Sequence, residues 1–333
     1  MKYWRPTIAT GIAAALIFFL ILVGDLGVLS LFDRMKELGA WWILIIAASF
    51  VQIALSAEKW RIVLVAIGGE NIKEIQRRFF IATTAIAAVS SQFLTVYAAS
   101  IVVRSVAGHV HNLRTSTSAG SSGFEQLFDV AVLFVFFVPT VATLLLLEGL
   151  QFWVVLAVLS LAAAVVGITL VTKWMRHRKE YDVEEQSGAA HYVVSRLKLS
   201  VDREKQNAVA SKAQLLFSLS VIRYVAMFTR AAVVAAAAGY VFDARNLILA
   251  FNAAQASQLA SLTPGNIGIS EWSWAGVLGY LGDPFNAAIE FAILLRVCTF
   301  VSLVIIMTIV VLLYLRQFSD AWRRRRYHQD CTD

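Results

Sequence analysis

Charge is scarce in this chain: Asp, Glu, Lys and Arg make up 15% of its 333 residues and 59% are apolar, against about 25% and 45–50% in a soluble globular domain. That balance excludes a soluble enzyme, a nucleic-acid reader and a secreted scaffold. Cysteine is scarcer still. Cys298 sits in an apolar stretch and Cys331 in the charged tail, badly placed to pair and without metal-ligand spacing, so no disulfide framework and no metal are expected. His109 and His111 lack a third ligand. No phosphate-cradling loop, H-E-x-x-H or nucleophile elbow is present, so no cofactor is expected and an ATP-driven mechanism would need another chain.

What the sequence has is apolar run after apolar run. A bilayer core of about 30 Å takes about 20 helical residues per crossing. Runs at 7–29, 40–57, 79–103, 117–147, 150–172, 214–242, 246–282 and 285–315 use nearly the whole chain. The net charge of +7 lies mostly between them, where it reads as a topology signal and as attraction to anionic bilayer headgroups rather than to nucleic acid.

Charge also fixes the crossing pattern. If every run crossed, the 173–213 loop with its nine basic residues would face outward, against the positive-inside rule. The conflict disappears if 79–103 and 246–282 dip in and return to the side they entered. That arrangement leaves all but six of the 29 basic residues cytoplasmic, with Arg34, Lys36 and Arg245 outside and Arg223, Arg230 and Arg296 in the membrane. The expected fold is therefore an all-α polytopic membrane protein with six full spans and two re-entrant hairpins. Residues 173–213 form a cytoplasmic charged loop, residues 316–333 form a basic cytoplasmic tail, and both termini are inside.

Both hairpins carry interruptions. Ser90, Ser91, Gln92, Thr95, Tyr97 and Ser100 break the first, and Thr263-Pro264-Gly265-Asn266-Ile267-Gly268 breaks the second. Pro264 lacks an amide donor and the glycines release the chain from helical geometry. Pro139 marks an expected kink in another run. Each hairpin contains a Ser-Gln pair, Ser91-Gln92 and Ser257-Gln258. The pairs suggest an inverted repeat of the kind used by alternating-access transporters.

The stretch Thr263 to Glu271, followed by Gly279, Gly282 and Arg296, resembles the C-terminal signature of the lysylphosphatidylglycerol synthase/flippase transmembrane-region family. Trp60-Arg61 through Gly68 is similar to its W-R-x-L-L-x-x-x-G element. Ser91-Gln92-Phe93-Leu94 with Arg104 has the spacing of its first hairpin, and Glu125 and Asp129 match the acids after it. Thr95, Ala99, Ile101 and Gln126 depart from the family's Pro, Gly, Asp and Arg. The resemblance covers nearly the whole chain. Synthase members carry a soluble aminoacyltransferase after the membrane part, whereas about 18 residues follow the last span in this sequence. The resemblance thus implies lipid translocation without lipid synthesis.

Ionisable residues inside a bilayer are functional candidates by default, because each costs at least about 2.5–3.5 kcal/mol to insert. Here they are Glu125, Asp129, Arg223, Arg230, Glu271, Glu290 and Arg296. Glu125 and Asp129 share one helix face, as do Arg223 and Arg230. Arginine engages a phosphate bidentately, so Arg296, Arg223, Arg230 and Arg104 are expected to bind a lipid headgroup. Glu271, Glu125 and Asp129 are expected to gate or pair charge. Pro264, Gly265, Asn266, Gly268, Gln258 and Gln92 form the hairpin turns. The expected activity is translocation of a phospholipid or lipid-linked sugar across a bacterial or archaeal inner membrane, by a non-enzymatic transporter working alone, as a homo-oligomer or with a synthase partner. The alternatives are a secondary transporter of a small solute, a non-catalytic subunit of an envelope lipid or glycan synthase, and a membrane transferase using one of the three acids.

Overall fold

The computed structural model of the protein describes residues 28–68, 72, 75–110, 113–146, 208–259 and 263–330. The expected spans at 7–29 (but for its last two residues) and 150–172, and most of the 173–213 loop, lie outside the described residues. Every regular element described is a helix: α1 (Val28–Glu37), α2 (Trp41–Gly68), α3 (Arg77–Ser90), α4 (Val96–Val110), α5 (Thr115–Leu146), α6 (Ala213–Ala237), α7 (Ala244–Ser257), α8 (Ile269–Tyr280) and α9 (Phe285–Asp330). Four are long and apolar enough to cross a membrane: α2, α5 through Leu144, α6, and α9 through Tyr314. The α2 helix runs eleven residues past its expected end at 57, and α9 carries the backbone of the expected tail to Asp330. Pro139 lies inside α5 without ending it.

The two interrupted runs are helix-break-helix pairs. The α3 and α4 helices have 14 and 15 residues, and α7 and α8 have 14 and 12, so each limb is about 18–23 Å long at 1.5 Å per residue. That is shorter than a hydrocarbon core. The limbs of each pair pack on one another. The Ser-Gln pairs sit at equivalent places, just where the first limb ends. Ser91 Oγ donates to the Ala88 carbonyl at 2.7 Å and Ser257 Oγ to the Ala254 carbonyl at 2.8 Å.

A span, a hairpin and a span thus occur twice among the described residues, as α2–α5 and α6–α9. Exchanging the two sets maps the broad helix contacts onto themselves, apart from that of α1 with α9: α3 packs on α9 as α7 packs on α5, and α2 on α9 as α6 on α5. The equivalent helices α2 and α6 lie side by side and antiparallel. Arg230 Nη1 donates to Ser49 Oγ at 3.3 Å and to Gln52 Oε1 at 2.7 Å, while Lys59 Nζ, farther along α2, reaches back to Ser220 Oγ at 2.9 Å.

The main core surrounds α6, where Leu216, Met227, Ala231 and Val234 are buried with Ile45, Val63 and Ile67 of α2 and Phe128 and Val132 of α5. The α3 helix is held to α2 by aromatic packing, with Trp60 edge-on to Phe80 at 5.0 Å between ring centroids. The α7 helix is tied in by Asn252, which accepts from Tyr224 Oη at 2.7 Å and donates to Thr140 Oγ1 at 2.7 Å.

The two breaks meet tip to tip. Gly265 N donates to the Leu94 carbonyl at 3.1 Å, and a Cβ on Gly265 would lie 2.1 Å from the Gln92 carbonyl oxygen. Gly265 also holds φ of +60°, a conformation costing about 1–2 kcal/mol with any side chain. Gly265→Ala should therefore destabilise the protein by more than that backbone cost, read as a lowered unfolding midpoint in detergent. Gly276→Ala, in α8 with nothing within 4 Å of the added methyl, should be neutral or mildly stabilising.

Candidate functional site

Where the tips meet, α2, α5, α6 and α9 leave a cavity of about 230 Å³ lined from both hairpins. Glu125 and Asp129 enter it from α5, one helical turn apart and on one face. Arg223 and Arg230 enter from α6, Arg104 from α4, Arg296 from α9, and Glu271 from the start of α8. Gln92, Gln258, Gly265 and Asn266 line it from the breaks. Among the hairpin-turn residues singled out in the sequence, Pro264 and Gly268 are not at the wall: Pro264 opens a short 3-10 turn and Gly268 caps α8. Glu290 lies elsewhere, its carboxylate 3.6 Å from Arg34 Nε.

The charges are ordered rather than scattered. Arg104 Nη1 lies 2.6 Å from Glu125 Oε2, Glu125 Oε1 lies 3.1 Å from Lys59 Nζ, Lys59 pairs with Asp129, and Asp129 Oδ2 lies 2.8 Å from Arg223 Nη1. Signs alternate along this chain, which ties together α4, α5, α2 and α6. Ser56 threads it as well, accepting from Arg104 Nη2 and donating to Glu125 Oε1, each at 3.0 Å. The Arg104 guanidinium lies 5.0 Å from the centroid of the Trp60 ring, a placement that adds cation–π attraction. Close approach of α4 and α5 depends on small residues: Ser118 Oγ donates to the Arg104 carbonyl at 2.8 Å, against Gly108.

Lys59 is the functional residue the sequence reading missed, because it counted the lysine as cytoplasmic just past a span ending at 57. The structure buries it completely at the centre of the chain of charges. The signal was available, since Ser49, Gln52, Ser56 and Lys59 recur at spacings of three, four and three, a polar stripe along one face of an apolar helix.

Glu271 and Arg296 form a second, separate unit. Glu271 Oε2 accepts the Gly268 amide at 2.7 Å, capping α8 in the manner expected of an acid in the first turn. Its other oxygen pairs with Arg296 Nε. The rest of the Arg296 guanidinium holds the break, donating to the Gly265 carbonyl at 3.2 Å and to the Asn266 carbonyl at 3.3 Å. The α4–α5 contact carries Arg104 to Glu125, and the equivalent α8–α9 contact carries Glu271 to Arg296, with the charges exchanged.

Arg230 differs from the other arginines of the cavity. It is 8% exposed, its bonded partners are the neutral Ser49 and Gln52, and among the described residues its Nε has no partner. Along the described wall, four arginines face three carboxylates.

A family model described as the lysylphosphatidylglycerol synthase TM region matches residues 7–306. The chain belongs to this family. No curated protein and no solved structure matches it. The match includes both hairpins and every charged residue of the cavity, and it makes the chain a multi-pass membrane protein of a lipid-related family.

Removing one member of a buried ion pair typically costs about 3–5 kcal/mol, and the alternating order says which removal hurts most. Glu125→Gln leaves Lys59, Arg104 and Arg223 around Asp129 alone, whereas Lys59→Met leaves two balanced pairs. Glu125→Gln should lower the unfolding midpoint more than Lys59→Met, and the double variant should recover part of the loss. A double variant no better than Glu125→Gln alone would show that the order of charges does not govern stability.

Proposed function

We propose that the protein is a lipid translocase that takes the anionic headgroup of a phospholipid or lipid-linked sugar into the cavity between the hairpin tips, the acyl chains staying in the bilayer. The observation that carries this reading is the excess of guanidinium over carboxylate where two interrupted hairpins meet, with Arg230 lacking an acidic partner. Arg230 and the cavity edges of Arg223, Arg104 and Arg296 supply the charge-assisted donors that a phosphate takes. Glu125, Asp129 and Glu271 hold those arginines in place and are available to re-pair with them as the cavity changes access.

The hairpins are re-entrant in this reading, entering from opposite sides, and the halves α2–α5 and α6–α9 form an inverted repeat. The antiparallel pairing of α2 with α6 and the exchange of neighbours between halves support it, and the limbs are shorter than a bilayer core. Six full spans, both termini in the cytoplasm and placement in the inner membrane of a bacterium or archaeon follow from the distribution of basic residues. The protein acts as a transporter rather than an enzyme, alone, as a homo-oligomer, or beside a synthase.

Two measurements test the proposal. Single cysteines at Ser116 and Ser187, with Cys298 and Cys331 replaced by serine, should both react with an impermeant reagent only from the cytoplasmic side, and labelling of one from each side would refute the first re-entrant hairpin. Purified protein in liposomes should move a headgroup-labelled anionic phospholipid between leaflets. Arg230→Gln should slow that movement about tenfold or more, the equivalent of one lost charge-assisted hydrogen bond. Wild-type liposomes no faster than protein-free ones would overturn the translocase.

A further inference from the structure

We infer that the cavity selects a phosphodiester headgroup that ends in uncharged hydroxyls, and discriminates against headgroups that carry an ammonium. The inference rests on the translocase reading and names the class of lipid it moves. It follows from which polar groups of the cavity are already used. Each of the three carboxylates is fully engaged: Glu125 by Arg104, Lys59 and Ser56, Asp129 by Lys59 and Arg223, and Glu271 by Arg296 and the Gly268 amide. An entering ammonium therefore meets no carboxylate that it would not have to take from an internal cation.

The groups without partners among the described residues point the other way. Arg104, Arg223 and Arg230 each have a buried Nε with no acceptor, which are donors for phosphate oxygens. Thr84 Oγ1 and Asn266 Oδ1 are also unpartnered at the wall, and both residues are buried, 4% and 5% exposed. A hydroxyl can donate to the Asn266 carbonyl oxygen and can both give to and take from Thr84, so a polyol satisfies what the arginines leave unmet. An aminoacyl ester would bring cationic charge to a wall already in cationic excess, where like charges repel.

Native mass spectrometry of the purified protein distinguishes the outcomes. The protein is equilibrated with micelles holding equal amounts of phosphatidylglycerol, lysylphosphatidylglycerol, phosphatidylethanolamine and a neutral monoglycosyl diacylglycerol. Phosphatidylglycerol should be retained over each of the others by about tenfold or more, the factor corresponding to one discriminating polar interaction. Arg230→Gln should remove the preference while the protein stays folded by its unfolding transition. Equal or tighter retention of lysylphosphatidylglycerol or phosphatidylethanolamine would overturn the inference and leave the translocase standing. Retention of all four in bulk proportion would remove the headgroup site, and the translocase reading with it. Displacement of phosphatidylglycerol by soluble glycerol 3-phosphate at equal concentration would overturn the lipid assignment in favour of a free phosphopolyol.

Discussion

The constraint on which the structure turns is that polar backbone cannot stand unsatisfied in an apolar interior. Around Pro264 the helical ladder stops, and the carbonyls and amides of the turn need partners from elsewhere. They are supplied from three directions at once. Arg296 binds the Gly265 and Asn266 carbonyls, Glu271 takes the Gly268 amide, and the Leu94 carbonyl of the other hairpin takes the Gly265 amide. Satisfying one break therefore requires the second hairpin limb, the span that follows it and the opposite hairpin to be in place together. The cavity lies where these elements converge.

The chain of alternating charge solves a different problem with similar means. Charges are costly to bury singly and tolerable when each has opposite neighbours and its remaining hydrogen bonds are met. Lys59 can lie fully inside the protein because Glu125, Asp129 and Ser220 surround its ammonium. Because the members come from four helices, the network also sets how those helices are rotated, which uniform apolar packing would leave loosely specified. The α2 helix illustrates the need, being apolar nearly all round save for its Ser49, Gln52, Ser56 and Lys59 stripe.

How much of this was legible in the sequence depended on whether the signal was local. The breaks were legible, since Pro264 and its glycines forbid a continuous helix and the polar run at Ser90–Thr95 interrupts an apolar one. The face shared by Glu125 and Asp129 follows from helical periodicity, and so does that shared by Arg223 and Arg230. The partner choices were not legible. Whether Glu271 would cap, pair or exchange a proton was open, and the structure has it capping α8 and pairing with Arg296 at once, because a carboxylate at the third helical position has one oxygen for the backbone and one to spare. Lys59 escaped because an ionisable residue near the end of an apolar run reads as a topology signal. Only its neighbours on α5 and α6, distant in sequence, make it a buried one.

The departures of the first hairpin from its family pattern acquire a reason in the contact between the tips. The second hairpin is built for a sharp turn, with Pro264, two positive-φ glycines and an arginine on its carbonyls. The first has Thr95 where the family has proline, and its turn from Ser91 to Leu94 keeps local hydrogen bonds of near-helical type, Gln92 to Val89 and Leu94 to Ser90. Such a turn leaves fewer orphaned groups, so it can do without the glycines and the arginine of its counterpart. The carbonyl it presents outward, that of Leu94, is the one the second hairpin uses. The first tip thus serves as an acceptor for the second, which confines the strained backbone to one side of the cavity and leaves Gln92 and the start of α4 to shape the other.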